Sequence, residues 1–296
     1  MDSVARAAEL LRAGRLVAIP TETVYGLGAN ALDEAAVHRI FEAKDRPLSS
    51  PLIVHVSDIA TARSLASKWP REAEALAARF WPGPLTIIVP KDSRVPDAVT
   101  AGLPSVALRM PSHPLALAVI KAAGIPIAAP SANRFTELSP TTAQHVRESL
   151  GDRVDFILDG GPCTVGIEST VISLAGPKPR ILRPGMVSQT QIEEVIGPVE
   201  IGSGAESPGQ HPKHYSPRAR VVIGARPSNG RGAELPLPSD PAAAAETLYR
   251  RLHDLDQEGY DWIAIDLPPD TPEWAGVRDR IIRAAHPGPS SESPPG

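Results

Sequence analysis

Apolar residues along the chain follow two spacings, which predict helices and strands in irregular alternation. In residues 4–13 they fall on one helical face, with Gly14 as the stop, whereas short runs such as 16–19, closed by Pro20, are typical of buried strands. Helices are predicted at 4–13, 33–44, 71–80, 115–123, 141–150, 242–254 and 277–285. Strands are predicted at 16–19, 52–56, 85–89, 106–109, 125–129, 154–158, 170–174, 221–223 and 262–265. This order favours an α/β fold with a mixed sheet over a regular parallel one.

A change in composition divides the chain. From Gly197 to about Arg220, Gly, Pro, Ser, Gln and His dominate without any periodicity, which indicates a linker. The predicted organisation is a first domain at 1–197, a linker or lid at 198–220, a small α/β domain at 221–285 and a disordered tail at 286–296.

Composition and charge narrow the class of protein. Hydrophobic residues make up 42% of the 296 residues and aromatic ones only 4%, so aliphatic side chains must fill the core. A net charge of -4 and the lack of a Lys/Arg run argue against a protein that coats nucleic acid. No window approaches the ~20 apolar residues of a membrane span, and the amphipathic start is unlike a signal peptide. With a single cysteine, these features predict a soluble, cytoplasmic protein.

Two features could carry chemistry of other kinds. Cys163 is a candidate nucleophile, but nothing nearby supplies a base, so a small buried or turn residue is the favoured interpretation. His211 and His214 could form a metal pair, yet a zinc site needs three or four ligands and no further Cys/His cluster supplies them. We therefore predict no protein-bound metal.

The connection after the first strand concentrates polar groups. Two hydroxyls, a carboxylate and a phenol stand within residues 21–25, and Gly26 and Gly28 would let the backbone approach a ligand closely. The same glycines, with Ala31, fit a dinucleotide-binding fingerprint, and Asp58 could serve as its ribose partner. That fingerprint needs its first glycine directly at the strand end, whereas six residues intervene here, so we disfavour it.

Cations and a histidine also stand near strand ends. Lys44 and Arg46 could clamp phosphate or carboxylate oxygens, although Lys44 could equally interact with the dipole of its own helix. His55, inside an apolar strand, is either a core residue or a donor to a ligand. Arg109 ends the strand 106–109 and is either an anion site or a partner in an ion pair.

Hydroxyl groups recur at further strand ends. Ser131 follows the strand 125–129, and Ser139 before Pro140 reads as a helix N-cap whose helix could also receive a phosphate. Residues 166–170 again place hydroxyls before a strand, and Arg183 closes the next one. Together, these groups suit the binding of a triphosphate and an anionic small molecule, with catalysis by positioning and charge stabilisation.

The sequence resembles the threonylcarbamoyl-AMP synthase family, which has a YrdC-like domain, in its longer two-domain form. The resemblance is strong over residues 5–200 and less distinctive beyond them. It rests, in matching order and spacing, on the segments 20–28 (PTETVYGLG), 44–47 (KDRP), 51–56 (PLIVHV), 109–111 (RMP), 130–133 (PSAN), 169–171 (STV) and 183–185 (RPG). It departs from the family pattern at Asp45, at Ser50 and around Gln210–Pro212.

The resemblance implies a curved, mixed-sheet YrdC-like domain followed by a small Rossmann-like α/β domain. It implies that Lys44 and Arg46 are catalytic and offset phosphate charge. The threonine-binding residues it implies are Thr23, His55, Arg109, Ala129 and Ser169. The ATP-binding residues it implies are Arg46, Ser50, Ser105, Ser131, Asn133, Ser139, Arg183 and, as a lid, Tyr215. Mg²⁺ would arrive with ATP.

The implied activity is the synthesis of threonylcarbamoyl-AMP and pyrophosphate from L-threonine, bicarbonate or CO₂, and ATP. The product would serve threonylcarbamoyl-adenosine formation in tRNA through a separate transferase, with no membrane partner and little direct nucleic-acid binding. Two alternatives stay open at this point: carbamoyl-adenylate chemistry with another acceptor, and a non-catalytic RNA-binding protein. The net negative charge of the chain argues against the RNA-binding protein.

Overall fold

The computed structural model describes residues 2–207, 215–224 and 226–286. The histidine pair predicted not to bind metal, the family departures at Gln210–Pro212 and nearly all of the predicted tail lie outside the described residues. Helices are α1 Ser3–Arg12, α2 Glu34–Lys44, α3 Ile59–Ser64, α4 Arg71–Phe80, α5 Asp97–Thr100, α6 Pro114–Ala123, α7 Ala143–Leu150, α8 Gln189–Ile196, α9 Pro241–Gln257 and α10 Ala275–Ala285.

Strands are short, as the sequence predicts. Their bounds are β1 Val17–Ile19, β2 Gly26–Asn30, β3 Ile53–His55, β4 Leu85–Pro90, β5 Ser105–Arg109, β6 Ile127–Ala128, β7 Phe156–Ile157, β8 Thr170–Ser173, β9 Arg180–Arg183, β10 Glu200–Ile201, β11 Arg220–Ile223, β12 Gly232–Glu234 and β13 Trp262–Ile265. The prediction places most of them within two residues of their observed ends.

The first ten strands form one sheet in the order β10-β9-β8-β4-β5-β3-β6-β2-β1-β7. Its pairs are of both kinds: β3 and β5 are parallel, as are β4 and β8, whereas β4 and β5 are antiparallel. The α/β fold with a large mixed sheet is therefore confirmed. Because β3 and β5 run in the same direction, His55 and Arg109 end side by side in register.

Strand β2 occupies the place where the dinucleotide fingerprint would require a turn. Gly26 pairs with Ile19 and Gly28 with Val17 across an antiparallel ladder. A Cβ atom on Gly28 would lie 2.9 Å from Cγ2 of Ile127 and 3.2 Å from the carbonyl oxygen of Val17. The glycines therefore serve close strand packing, and the dinucleotide-binding alternative is wrong.

Helix ends follow ordinary capping chemistry, with one difference from the prediction. The Asp33 carboxylate accepts hydrogen bonds from the amides of Ala35 and Ala36 at the start of α2. Helix α7 is capped by Thr142, whose hydroxyl accepts from the amide of His145. The prediction of Ser139 as this N-cap is wrong, because the Ser139 hydroxyl is engaged by a carboxylate of the functional site.

Residues beyond the linker form a separate sheet that shares a core with the first domain. Strands β11, β13 and β12 are parallel, and α9 and α10 are the helices of this unit. Its core includes Leu248 and Val277 together with Val24, Leu138 and Ile167 of the first domain. The two units thus pack through a continuous apolar interior, whereas the Rossmann-like description of the second unit and the domain bounds stay predictions.

Candidate active site

A cavity of about 50 Å³ lies where strand ends of the large sheet meet the end of the linker. Its wall includes Thr21, Thr23, Val24, Gly26, Arg46, Pro51, Leu52, Ile53, His55, Arg109, Ala129, Pro130, Ser131, Glu168, Ser169, Arg183 and Tyr215. Three arginines and one carboxylate are the charged groups of this wall, so the charge balance favours an anionic ligand.

Arg109 is buried at the end of β5 and is held by the segment after β1. Its Nη2 donates to Oε1 of Glu22 at 2.7 Å, and its Nη1 donates to the Thr23 hydroxyl at 2.9 Å. The other Glu22 oxygen accepts from the amide of Ser112 at 3.1 Å. The ion pair is therefore buried rather than on the surface, and it fixes both the guanidinium and the Thr23 hydroxyl at the cavity wall.

His55 stands beside Arg109 at the end of β3. Burial, together with the neighbouring charge of Arg109, lowers its pKa to about 3, so the imidazole is neutral at physiological pH. Its Nδ1 is buried and makes no hydrogen bond of good geometry with the described residues. A neutral ring with an unsatisfied nitrogen at a cavity wall is suited to bind a ligand's polar group.

Ser169 immediately precedes β8 and contacts Arg183, the last residue of β9. The Ser169 and Thr86 hydroxyls share a hydrogen bond of 2.7 Å. Arg183 donates from Nε to the Ser169 carbonyl at 3.1 Å and from Nη2 to its hydroxyl at 3.2 Å. Residues predicted to bind different substrates are thus in direct contact.

Arg46 follows α2, which ends where Asp45 adopts a left-handed conformation. Its Nη2 donates to the Pro51 carbonyl at 3.2 Å, its guanidinium lies 5.8 Å from the centre of the Phe135 ring, and its Nε has no partner among the described residues. Burial is the main cause that lowers the pKa of Arg46 to about 10. The like charge of Arg183 adds to this effect, whereas Tyr215 opposes it. An incoming anion would relieve this loss of solvation.

Lys44 is placed differently from its sequence neighbour. Its ammonium group is buried and binds the carbonyl oxygens of Ser131 and Asn133, beneath the loop that carries them. Burial and the charge of Arg46 hold the Lys44 pKa well below its ordinary value. Lys44 therefore supports the loop 131–133 and is not part of the cavity wall. Its role is not limited to an interaction with the dipole of its own helix, because its ammonium group binds that loop.

The remaining predicted ATP ligands lie around the cavity rather than in its wall. Ser50 stands next to Pro51, and the Asn133 amide donates to the carbonyls of Arg134 and Glu137. The Ser105 hydroxyl, at the start of β5, lies 3.4 Å from a carboxylate oxygen of Glu206 in the linker. The structure therefore brings together nine predicted residues in the wall: Thr23, Arg46, His55, Arg109, Ala129, Ser131, Ser169, Arg183 and Tyr215.

Glu168 is the charged wall residue that sequence reasoning missed. Its carboxylate accepts from the Ser139 hydroxyl, from the Tyr249 hydroxyl at 3.1 Å and from Nε of Arg280 at 2.7 Å. Burial would raise the pKa of Glu168, but the charges of Arg280 and Arg183 outweigh it and hold the pKa below its ordinary value. The sequence feature that could have identified Glu168 is its position between Gly166 and Ser169, in a segment noted above for its hydroxyl groups.

Tyr215 ends the linker and closes the cavity from the side of the second unit. Its side chain is buried, and its ring lies 5.8 Å from the Tyr249 ring and 5.3 Å from the guanidinium carbon of Arg280. The cavity beneath it is smaller than the ~300–1,000 Å³ of typical small-molecule sites.

Two further predictions concern groups outside this wall. Cys163 is buried, and burial raises the pKa of its thiol above the ordinary value, which agrees with a structural residue and not a nucleophile. Within the three described ranges, no group of three or more His, Cys, Asp and Glu side chains could hold a metal ion. None of the helices in the described part of the chain is long and apolar enough to cross a membrane.

Comparison with known proteins gives matches along almost the whole chain. The Sua5, YciO and YrdC family model, described as "Telomere recombination", matches residues 9–185. A second model, described as the C-terminal domain of threonylcarbamoyl-AMP synthase, matches residues 187–235 and 230–286.

Relatives with names and structures extend these matches. Threonylcarbamoyl-AMP synthase of Bacillus subtilis (strain 168) is 42% identical, over 95% of this chain and 92% of its own length. The protein of the same name from Pyrococcus abyssi (strain GE5 / Orsay) is 50% identical over 73% of this chain and 66% of its own length. The crystal structure of P. abyssi Sua5 complexed with L-threonine superposes with a TM-score of 0.91 at 39% identity, covering 95% of this chain and 94% of the other.

Proposed function

Since the chain belongs to the threonylcarbamoyl-AMP synthase family, we propose that its cavity is the place where L-threonine, bicarbonate and ATP combine. The enzyme is a nucleotidyltransferase that forms threonylcarbamoyl-AMP, as its relatives' names state. The observation that carries the assignment to this cavity is its wall of three buried arginines, one neutral histidine and several hydroxyls.

Threonine binds at the side of the cavity formed by Thr23, His55, Arg109 and Ser169, near the backbone of Ala129. The P. abyssi relative was crystallised with L-threonine, which supports a threonine site in this fold. The Arg109 guanidinium supplies a cation for the carboxylate of threonine, although its ion pair with Glu22 already offsets part of the guanidinium charge. The hydroxyl groups and the neutral imidazole of His55 supply partners for the threonine hydroxyl and amine.

ATP binds at the neighbouring side, next to Arg46 and Arg183. Ser50, Ser105, Ser131, Asn133 and Ser139 surround this side, and Tyr215 covers it. Arg46 supports this placement because burial leaves its charge poorly solvated, and a phosphate would restore the lost interactions. Lys44 acts through the loop 131–133, since its ammonium group binds that loop from below.

The reaction needs positioning and charge stabilisation and no covalent intermediate on the protein. The threonine amine attacks the carbon of bicarbonate, and water leaves as the carbamate forms. A carbamate oxygen then attacks the α-phosphorus of ATP, and pyrophosphate leaves with the bonding electrons. Arg46 and Arg183 offset the charge that develops on the phosphate oxygens.

Mg²⁺ accompanies ATP in this proposal. Mg²⁺ keeps several waters and binds substrate phosphates, and the one carboxylate of the wall, Glu168, is already paired with Arg280, so the phosphates of ATP would be its main ligands here. When bound, the ion would share the neutralisation of the phosphate charge. The product then passes to a separate transferase that modifies tRNA.

The test of this function is the identity of the product. We expect the purified enzyme, supplied with ATP, Mg²⁺, L-threonine and ¹³C-bicarbonate, to form an adenylate that carries the label and releases labelled threonylcarbamate on hydrolysis. L-serine and glycine in place of threonine test the alternative acceptors. A labelled adenylate that forms equally well with these amines would contradict threonine as the substrate.

A further inference from the structure

The second unit reaches into the active site through one buried arginine. Arg280 lies in α10 and is fully buried, and its guanidinium donates to residues of the first domain. Nε donates to Oε2 of Glu168 at 2.7 Å, Nη2 to the Glu168 carbonyl at 3.1 Å, and Nη1 to the Pro184 carbonyl at 2.9 Å. Asp279 orients the same guanidinium by accepting from Nη1 at 2.7 Å.

The residues that Arg280 binds are the neighbours of two proposed substrate ligands. Glu168 precedes Ser169, and Pro184 follows Arg183. One planar guanidinium therefore bridges the segment before β8 and the segment after β9, next to the direct contact between Arg183 and Ser169. A fork of this kind gives orientation as well as attraction, because its donors have a rigid geometry.

Tyr249 of α9 completes the arrangement from the same unit. Its hydroxyl donates to Oε2 of Glu168 at 3.1 Å, so that two donors of the second unit share one carboxylate oxygen. The other oxygen accepts the hydroxyl of Ser139, a proposed ATP ligand. The position of Ser139 thus depends on where the second unit holds Glu168.

Close backbone contacts make this arrangement specific. A Cβ atom on Gly276 of α10 would lie 2.9 Å from the Gly185 backbone, and one on Gly166 would lie 2.4 Å from the Ala245 carbonyl oxygen of α9. Both helices therefore lie directly against the segments that flank Glu168 and Pro184. Gly276 and Arg280 are four residues apart and share one face of α10.

The buried ion pair between Arg280 and Glu168 is a poor way to stabilise the contact between the two units. Taking a carboxylate and a guanidinium out of water costs free energy, and apolar packing of similar volume is often as stabilising. The shared apolar core already joins the two units. What a buried, fully bonded pair adds is a defined position for its members.

We propose that Arg280 and Tyr249 are positioning residues of the active site, which hold Glu168 against Ser139 and brace the segments that carry Ser169 and Arg183. This inference rests on the proposed assignment of Ser139, Ser169 and Arg183 to the substrates. It gives the second unit a task in synthesis: among the described residues, the first domain supplies only the Ser139 hydroxyl as a hydrogen-bond donor to the Glu168 carboxylate, and Tyr249 and Arg280 supply the other donors.

The test compares Arg280→Met, Arg280→Lys and Tyr249→Phe with the matched control Arg278→Met. Arg278 lies in the same helix, and its partners, Pro268 and Asp270, belong to the second unit. Displacement of a ligand by about 1 Å can cost roughly 10²-fold in rate, so we expect Arg280→Met to lose about 10²-fold in kcat/KM. Tyr249→Phe should lose about tenfold, Arg280→Lys should be intermediate, and Arg278→Met should stay within about twofold of the wild type.

Two further measurements keep the outcome decisive. Thermal unfolding establishes that each compared variant is folded, and Tyr249→Phe decides the question where Arg280→Met does not fold. Calorimetric affinities for L-threonine and ATP report on the cavity without turnover. If the wild-type enzyme makes no product, that result counts against the proposed function, and the affinities still test the positioning role of Arg280 and Tyr249. Kinetic constants and affinities of folded Tyr249→Phe and Arg280→Lys equal to those of Arg278→Met would overturn the proposal.

Discussion

Arg46 combines deep burial with an incomplete set of hydrogen bonds, which is uncommon for a guanidinium. Among the described residues, only the Pro51 carbonyl accepts a hydrogen bond from Arg46, and Nε has no hydrogen-bond partner there. A buried polar group without a partner costs free energy unless a ligand completes it. The residue is therefore organised for a ligand rather than for stability.

Replacement of Arg46 by alanine should remove most of the synthesis and leave the fold intact. We expect kcat/KM to fall by about 10²–10³-fold, the usual cost of removing a preorganised donor from a developing negative charge. Pyrophosphate release and thermal unfolding measure the two properties. Arg79→Ala is the control, because Arg79 is exposed near the end of α4; turnover of Arg46→Ala near that of the control would refute the role.

His55→Ala should act mainly on threonine. The imidazole is neutral, since burial lowers its pKa to about 3, so it can bind threonine through hydrogen bonds and not through charge. We expect the apparent KM for threonine to rise about tenfold, with the KM for ATP nearly unchanged. Steady-state kinetics between pH 6 and 8 should show the same ratio of the variant's threonine KM to the wild-type KM throughout. Equal rises in both KM values would argue against a threonine contact.

Residue types at strand ends predicted much of the cavity, but their partners could not be read from the sequence. The pairing of Arg109 with Glu22 brings together residues 87 apart in the chain. Lys44 illustrates the same point, because its ammonium group binds a loop 87 and 89 residues away instead of facing the cavity. Such contacts depend on strand order, which local patterns do not specify.

At the scale of elements, β2 shows why a strand can escape prediction. Its residues, Gly-Leu-Gly-Ala-Asn, combine types that are depleted in strands, and no alternation of apolar and polar positions marks it. It forms because β1 and β6 flank it and leave no room for side chains at the glycines. Strands with β-branched residues, such as β4, were predicted closely.

Gly28→Ala tests this close packing. The added methyl group would lie 2.9 Å from Cγ2 of Ile127, so neighbouring atoms must move. We expect the free energy of unfolding to fall by about 1–3 kcal/mol, as for other overpacked cores. Urea unfolding measures it, and Gly176→Ala is the control because its nearest atom lies 4.0 Å away. Equal stability of the two variants would contradict the argument.

At the scale of the whole molecule, the two units are joined by polar as well as apolar contacts. His145 of α7 and His253 of α9 stack with ring centres 3.8 Å apart, and His253 Nε2 lies 3.2 Å from the Ser139 carbonyl oxygen. Composition predicts a linker at 198–220, although β10 at Glu200–Ile201 still belongs to the large sheet. Composition could not reveal that Arg280 contacts Glu168, 112 residues away, because nothing local records that contact.

The stacked pair should make stability depend on pH. Burial, together with the charge of His253, lowers the pKa of His145 to about 3, and burial also lowers the pKa of His253. The unfolded chain binds these protons near pH 6.5 and the folded chain does not, so the stabilisation is present above pH 6.5 and is lost as the pH falls.

We therefore expect the double variant His145→Gln/His253→Gln to lose less stability than the wild type between pH 7 and pH 5. The difference should be on the order of 1 kcal/mol in the free energy of unfolding, measured with urea at both pH values. His38→Gln is the control, since that histidine is partly exposed in α2. Parallel pH profiles of the wild type and the double variant would rule out the pair as the source.

Pyrophosphate release from ATP by the purified enzyme tests the central claim most directly. The assay contains Mg²⁺ and is run with both L-threonine and bicarbonate, with each alone and with neither. The account predicts release that requires both, because the carbamate must form before it can attack the α-phosphorus. ATP that stays intact in every mixture while the protein is folded, or release that is indifferent to threonine, would contradict it.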